Sequence, residues 1–350
     1  MKKVRVAVIG VGYLGRFHAQ KYAAQPDCEL VAVVDADAAV AQRVATELGT
    51  RASVDYRELL GQVDAVSVVT PTATHAAIAS AFLEAGAHVL VEKPVTTTVA
   101  EARALIETAR RAGRVLQVGH LERFNPAVLA AEPALGTPRF IECLRLAPFR
   151  ERGTDVNVVL DLMIHDIDLV QMIVGSEITS LEAIGTPVFS AEIDIANARI
   201  HFASGCVANV TASRVSMKTE RKLRLFQDDT YLSIDLQQKI LTQIRRQPGG
   251  PAPGQLPVQI SEQSFEQGDA LLAEVHAFLA AIRSERPVLV SGEDGLRALR
   301  TAIAITEKVG APARPGAAGP TGSSGSGESA GSGGSAALGG SAVAGAAGAP

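Results

Sequence analysis

The segment Val4-Arg5-Val6-Ala7-Val8-Ile9 reads as a buried strand, and it runs directly into Gly10-Val11-Gly12-Tyr13-Leu14-Gly15. A G-x-G-x-x-G turn in that position constrains the fold more than any other stretch of the chain. Gly10 permits the tight turn, Gly12 lets the backbone approach a pyrophosphate, and Gly15 lets the next helix pack close to the strand. Tyr13 and Leu14 open that helix, whose free N–H groups would point at phosphate. Glycines at this spacing also occur in βα turns that bind nothing, so the context decides. A second apolar strand, residues 30–34, ends at Asp35, where the fingerprint places an acid that accepts hydrogen bonds from ribose hydroxyls. Asp37 adds negative charge and no Arg or Lys follows before Arg43, so a 2′-phosphate would meet repulsion. The expected cofactor is NAD rather than NADP.

Downstream, helix and strand patterns alternate. Residues 38–48 read as a helix closed by Gly49, 63–69 as a strand, 74–85 as a helix closed by Gly86, and 88–91 as a strand. Residues 99–112 form a helical pattern stopped by Gly113, and 115–118 return to the sheet. This alternation, with continuous Val and Leu runs in the strands, predicts a doubly wound parallel sheet of the Rossmann type. Beyond about residue 125 the strands alternate apolar and polar residues, first at 139–146, then at 178–183, 195–202, 206–213, 222–226 and 231–236. Helices are expected at 158–174, 270–284 and 292–309. The fold class is therefore α/β followed by α+β, the second part a mostly antiparallel open sheet.

The expected organisation is an NAD-binding Rossmann domain at 1–124, a substrate-binding and oligomerisation domain at 125–312, and a disordered Gly/Ser/Ala-rich tail at 313–350. An open sheet with a polar exposed face suits a homodimer or homotetramer formed through the second domain. A chain of 350 residues, 47% of them hydrophobic, is long enough for two such cores. Its apolar runs are too short and too interrupted for a membrane span, and its start lacks a secretory signal, so a cytoplasmic location and no membrane partner are expected. Cys28, Cys143 and Cys206 are widely spaced and odd in number, which gives neither a disulfide framework nor a metal cluster. A net charge of −4 offers no basic field for nucleic acid.

Two further motifs carry chemistry. Glu92-Lys93-Pro94 follows the strand at 88–91, and the carboxyl ends of parallel strands are where such sheets gather ligands. An isolated E-K-P usually just solvates a loop; this position places Lys93 beside the cofactor instead. In Asp161-Leu162-Met163-Ile164-His165-Asp166-Ile167-Asp168, ionisable groups interrupt an apolar helix. Helical spacing puts Asp161, His165 and Asp168 toward one side, where a carboxylate could orient the imidazole and raise its basicity. The alternative is a satisfied core histidine with acids capping nearby backbone. No metal is expected, since no second His or Cys stands at ligand spacing.

Together these motifs closely resemble the Gfo/Idh/MocA family of nicotinamide-dependent sugar and cyclitol oxidoreductases, over roughly residues 3 to 310. Thr70-Pro71-Thr72-Ala73-Thr74-His75 looks like the family's T-P-x-x-x-H, and Gly119-His120-Leu121-Glu122-Arg123-Phe124-Asn125-Pro126 is similar to its G-x-x-x-R-F-x-P crossover. The resemblance implies that Thr70, Pro71, His75, Glu92 and Lys93 join the glycine turn and Asp35 in binding the cofactor. It also implies that Lys93 binds the reacting hydroxyl, His165 is the general base, and Asp161 helps to hold the substrate, with Arg123 among the substrate-binding residues.

Within the family, the R-F-N-P crossover and the helix around His165 look most like the nucleotide-sugar branch, the UDP-N-acetylglucosamine 3-dehydrogenases. That branch oxidises the sugar C3 hydroxyl, often ahead of an aminotransferase in lipid A or surface-polysaccharide synthesis. Arg145, Arg150 and Arg152 are candidates to meet a pyrophosphate, although each could equally be an ordinary surface arginine. Inositol or a free sugar as substrate, keto-sugar reduction, and a non-catalytic NAD-binding sensor or scaffold stay open as alternatives.

Overall fold

The structure, a computed structural model, describes residues 3–150, 156–247, 257–265 and 268–310. The tail expected at 313–350 lies outside the described residues.

The first sheet is built from β1 (Val4–Ile9), β2 (Cys28–Val34), β3 (Arg51–Ser53), β4 (Ala65–Val68), β5 (His88–Glu92) and β6 (Leu116–Gly119), in the order β3-β2-β1-β4-β5-β6. Every pairing in it is parallel. The helices between the strands are α1 (Tyr13–Ala23), α2 (Ala38–Leu48), α3 (His75–Glu84) and α4 (Val99–Ala112). Local chemistry sets their ends. Asp37 accepts from the Ala39 and Val40 N–H groups to start α2, and left-handed Gly49 stops it. Thr98 and Glu101 form a reciprocal capping box on α4, which ends at left-handed Gly113. The strand order reverses direction between β1 and β4, and this opens a crevice at their carboxyl ends.

The second sheet has eight strands, ordered β14-β13-β12-β11-β7-β10-β9-β8. After α5 (Pro126–Ala131) come β7 (Phe140–Leu146), α6 (Ile164–Val174), β8 (Ile178–Thr186), β9 (Ile195–Phe202) and β10 (Val207–Ser213). The remaining strands are β11 (Glu220–Phe226), β12 (Thr230–Asp235), β13 (Ile240–Arg246) and β14 (Val258–Ser264), before α7 (Ala270–Ile282) and α8 (Gly292–Val309). Among the described strands only β7 and β10 run parallel; the other neighbours are antiparallel. Inward residues such as Ile141, Val210, Leu223 and Ile234 meet Met163, Ile164 and Ile167 in one core. Among the described residues, no helix is long and apolar enough to cross a membrane.

Three departures from the sequence reading matter. The strands β3, β13 and β14 were not expected: β3 spans three residues, while β13 and β14 lie at a sheet edge and carry mostly polar side chains. The helix expected at 158–174 begins as a π-helical turn over Val159–Met163, with Asn157 accepting from the Val159 and Leu160 N–H groups, before α6 proper. Finally, the chain returns to the first sheet. Val275, Phe278 and Leu279 of α7 pack with Val6, Val8 and Tyr22, although sequence order had grouped that helix with the second sheet. Leu299 of α8 packs in the first sheet's core while Ala298, Ala302 and Ile305 face the second.

Phe278 is fully buried in this return contact. Phe278→Ala should destabilise the protein by about 3–5 kcal/mol in urea unfolding, the usual cost of truncating a core aromatic residue. A loss below about 1 kcal/mol would show that α7 does not carry this packing.

Candidate active site

The glycine turn is tight enough to explain each glycine. Gly10 has φ +84°, and a Cβ there would lie 2.5 Å from the Val69 carbonyl oxygen. At Gly15 a Cβ would lie 1.8 Å from the Gly10 carbonyl oxygen, so only glycine lets α1 approach β1. Gly12 is different. Among the described residues nothing lies within 4 Å of where its Cβ would be, which leaves space for a ligand against bare backbone. Among the described residues, the start of α1 has no side-chain cap hydrogen bond and no acid in its first turn, so the positive end of the helix faces the turn without a built-in anion.

From this turn a cavity of about 730 Å³ extends past Asp35 on one side and past Thr70 and Pro71 to Glu92 and Lys93 on the other. Tyr13 and Leu14 also line it. Asp35 is held in place by the Val11 N–H at 2.9 Å and the Asp37 N–H at 3.0 Å, which leaves its remaining lone pairs for a ribose. Asp37 is a helix cap, so its charge is already engaged. Arg43, distant in sequence reasoning, flanks a recess beside Gly12 together with Arg16, which is paired with Glu47. Bare glycine, uncapped helix start and ribose-facing acid fit NAD. His75 does not line this cavity, contrary to its expected role. It is 1% exposed, and its ring nitrogens lie 2.8 Å from the Thr70 carbonyl and 2.9 Å from the Pro94 carbonyl, tying the loops after β4 and β5 together. Burial lowers its proton affinity against the pull of those carbonyls.

At the Lys93 end the second half of the chain closes in. Lys93 Nζ donates to the Asp161 carbonyl at 2.7 Å and to Asp161 Oδ1 at 3.4 Å. The π-helical turn carries Asp161, and such turns often mark functional sites. His165 follows one turn later. Its Nδ1 is buried without a hydrogen-bond partner among the described residues, so Asp161 does not orient the ring as expected; the Asp161 carboxylate serves Lys93. Burial, then the charges of Lys93 and Arg145, hold the His165 imidazole well below its ordinary pKa of 6.5, and the ring is neutral near pH 7. His120, at the end of β6, is buried, neither ring nitrogen has a hydrogen-bond partner among the described residues, and Nδ1 lies 4.0 Å from Asp168. Burial lowers its pKa too. The G-x-x-x-R-F signal contained this residue, but not its proximity to His165.

Asp168 turns away from Asp161 and is held by Arg123 in a two-point pair at 2.7 and 2.6 Å. Asp166 is held by Arg145 in the same manner at 2.8 and 2.9 Å, and Arg145 reaches Glu122 at 2.9 Å. Both arginines are buried, at 6% and 3% exposure, so the expectation that Arg123 and Arg145 bind substrate is corrected: their guanidinium groups are consumed inside the protein. Burial opposes the charge on Arg145, but Asp166 and Glu122 outweigh it. Arg150 is exposed, and Arg152 lies outside the described residues. The sequence reading missed Arg221 on β11, 45% exposed, 3.7 Å from Glu122, and near enough to lower the His165 pKa.

Arg145→Leu would leave Asp166 buried without its cation. The expected cost is about 3–5 kcal/mol of unfolding free energy, read by chemical denaturation. Wild-type stability with a raised substrate KM would instead restore Arg145 as a substrate contact.

A family model described as an oxidoreductase family, NAD-binding Rossmann fold, matches residues 4–120, and one described as its C-terminal alpha/beta domain matches residues 149–312. UDP-N-acetylglucosamine 3-dehydrogenase of Acidithiobacillus ferrooxidans is 43% identical over 312 residues, covering 89% of this chain and 99% of that protein. A solved structure of that enzyme superposes with a TM-score of 0.82 at 41% identity, covering 88% of this chain and 98% of the other. scyllo-Inositol 2-dehydrogenase (NAD(+)) of Bacillus subtilis is 34% identical over 233 residues, 61% of this chain and 68% of that protein. With both family models matched across the two sheets, the chain belongs to the Gfo/Idh/MocA oxidoreductase family.

Proposed function

We propose that the protein oxidises the C3 hydroxyl of UDP-N-acetylglucosamine to the 3-keto sugar, with NAD as the oxidant. The observation that carries this reading is the meeting of Lys93, Asp161 and a neutral His165 at the end of the dinucleotide cavity. NAD held by the glycine turn and Asp35 would supply the acceptor for the hydride on the sugar carbon. Loss of that hydride requires the hydroxyl proton to leave as well, and the neutral His165 imidazole is the base suited to take it, at Nε2. Lys93 Nζ donates to the reacting oxygen and stabilises negative charge on it, while Asp161 keeps the lysine aimed and accepts from a neighbouring sugar hydroxyl. The full Lys93, Asp161 and His165 set favours turnover over a cofactor sensor.

The choice of a nucleotide sugar rests on the Acidithiobacillus relative, which matches nearly the whole of both chains, whereas the inositol dehydrogenase matches a smaller part at lower identity. Exposed Arg150 and half-exposed Arg221 are the cations we assign to the diphosphate. The ketone product is a substrate for amination, consistent with a place in lipid A synthesis. A homodimer or homotetramer through the second sheet would cover Ile184, which is 72% exposed on β8.

Purified protein with NAD should produce reduced nicotinamide absorbance with UDP-N-acetylglucosamine, and not with free N-acetylglucosamine or myo-inositol, when a carbonyl trap removes the ketone. A signal with inositol alone would move the chain to cyclitol oxidation. His165→Asn should lower kcat by about 10²–10⁴-fold. Because His165 must be neutral to act and its pKa is depressed, the acid limb of kcat/KM should fall below pH 6.5. An acid limb at or above that ordinary value would remove His165 as the base.

A further inference from the structure

Behind Lys93 lies a buried polar group that the chemistry above leaves unused. His18, on α1, donates through Nε2 to Glu92 Oε1 at 3.1 Å, and Glu92 Oε2 accepts the Lys93 backbone N–H at 3.2 Å. Glu274 reaches the same place from α7. One nitrogen of His18 and one oxygen from each carboxylate all lie within 4.8 Å of one another. His18 and Glu274 are fully buried, and among the described residues neither Glu274 carboxylate oxygen has a hydrogen-bond partner. Glu92 is pressed against the backbone of β6, since a Cβ at Gly119 would lie 2.9 Å from its carboxyl carbon.

Two carboxylates this close in a dry interior cannot both be charged. Their surroundings decide which holds the proton. Burial pushes Glu92 up, but the His18 hydrogen bond and charge, with the Lys93 charge and backbone N–H, bring it below the ordinary glutamate value. Glu274 has no such donor, and burial followed by the Glu92 charge pushes it well above that value. The other titratable groups facing this pair are Tyr22 on α1, bonded to Ser67 of β4 at 2.9 Å, and His75 and His120. From β6 comes the neutral Gln117, which donates to the Glu274 backbone carbonyl at 3.2 Å.

We propose that Glu274 is a positioning residue: a neutral acid within 4.8 Å of Glu92, it turns its carboxyl to donate a hydrogen bond to Glu92 and, with His18, fixes Glu92 and hence the backbone of Lys93 at the end of the cofactor cavity. This inference rests on the role given to Lys93 above. It also gives α7 a function beyond packing, since the helix that returns to the first sheet delivers the proton behind the catalytic lysine.

The test compares Glu274→Gln, which keeps a neutral donor, with Glu274→Leu, which removes it. A carboxyl with a raised folded pKa keeps a proton that the unfolded chain releases, so wild-type stability should fall as pH rises above the ordinary glutamate value. Gln does not titrate. The Tm of Glu274→Gln relative to wild type should therefore increase steadily from about pH 5 to about pH 8. Glu274→Leu should lose about tenfold or more in kcat/KM, and Gln should recover most of that loss. A Tm difference independent of pH would mean that Glu274 is ionised in the fold and would overturn the proposal. So would full kcat/KM in the leucine variant, or a wild-type Tm lowered by EDTA, which would indicate a divalent cation held by His18, Glu92 and Glu274. If the leucine variant does not fold, the pH series on the glutamine variant still decides. Melting needs no substrate, so a wrong substrate assignment would leave that series unaffected.

Discussion

The site depends on how the helix that bears His165 is held. Asp166 and Asp168 sit beside it in sequence, and each is gripped at two points by a buried arginine from a different part of the fold. Arg123 comes from the crossover after the first sheet and Arg145 from β7 of the second, while Glu122, next to Arg123, reaches across to Arg145. Buried ion pairs of this kind add little net stability compared with apolar packing, but they tolerate the loss of a partner poorly. They therefore fix position. The same dry, positively charged surroundings lower the proton affinity of His165, so the clamp and the neutral imidazole are products of one environment.

The cofactor side is organised by close approach. Gly15 lets α1 touch the turn at Gly10, and this contact aims the helix start at the space beside Gly12. Lys93 stands at the far end of the cavity, where its ammonium reaches the carbonyl of Asp161 in the π-helical turn. One hydrogen bond thus joins the Lys93 end of the cavity to the residue expected to hold the sugar. The helices α7 and α8 reinforce the same junction from behind, since both pack against the first sheet after the second has been completed.

Much of this was legible in the sequence wherever the cause is local. The glycine turn, the acid at Asp35 and helix ends at Gly49 and Gly113 follow from backbone sterics and capping, and the structure reproduces α2, α4 and α8 at their expected bounds. Pairings set by tertiary contact were not legible. Asp168 looked like a partner for His165 by helical spacing, yet Arg123, 45 residues away, takes it. The π-helical turn leaves no mark on the apolar pattern, and β14 is too polar to resemble a strand because its side chains are almost all exposed. His18 and Glu274 were invisible for a related reason: 256 residues separate them, and only the return of α7 brings them to Glu92.

The central claim is that hydride leaves C3 of the sugar at the Lys93–His165 junction, and the most direct measurement follows an isotope. UDP-N-acetylglucosamine carrying deuterium at C3 is incubated with the protein and NAD, and the reduced nicotinamide and the sugar are both examined by mass spectrometry. The account predicts that the deuterium moves to the nicotinamide and is lost from the sugar. Reduced nicotinamide without the label, formed while deuterium remains at C3, would contradict it.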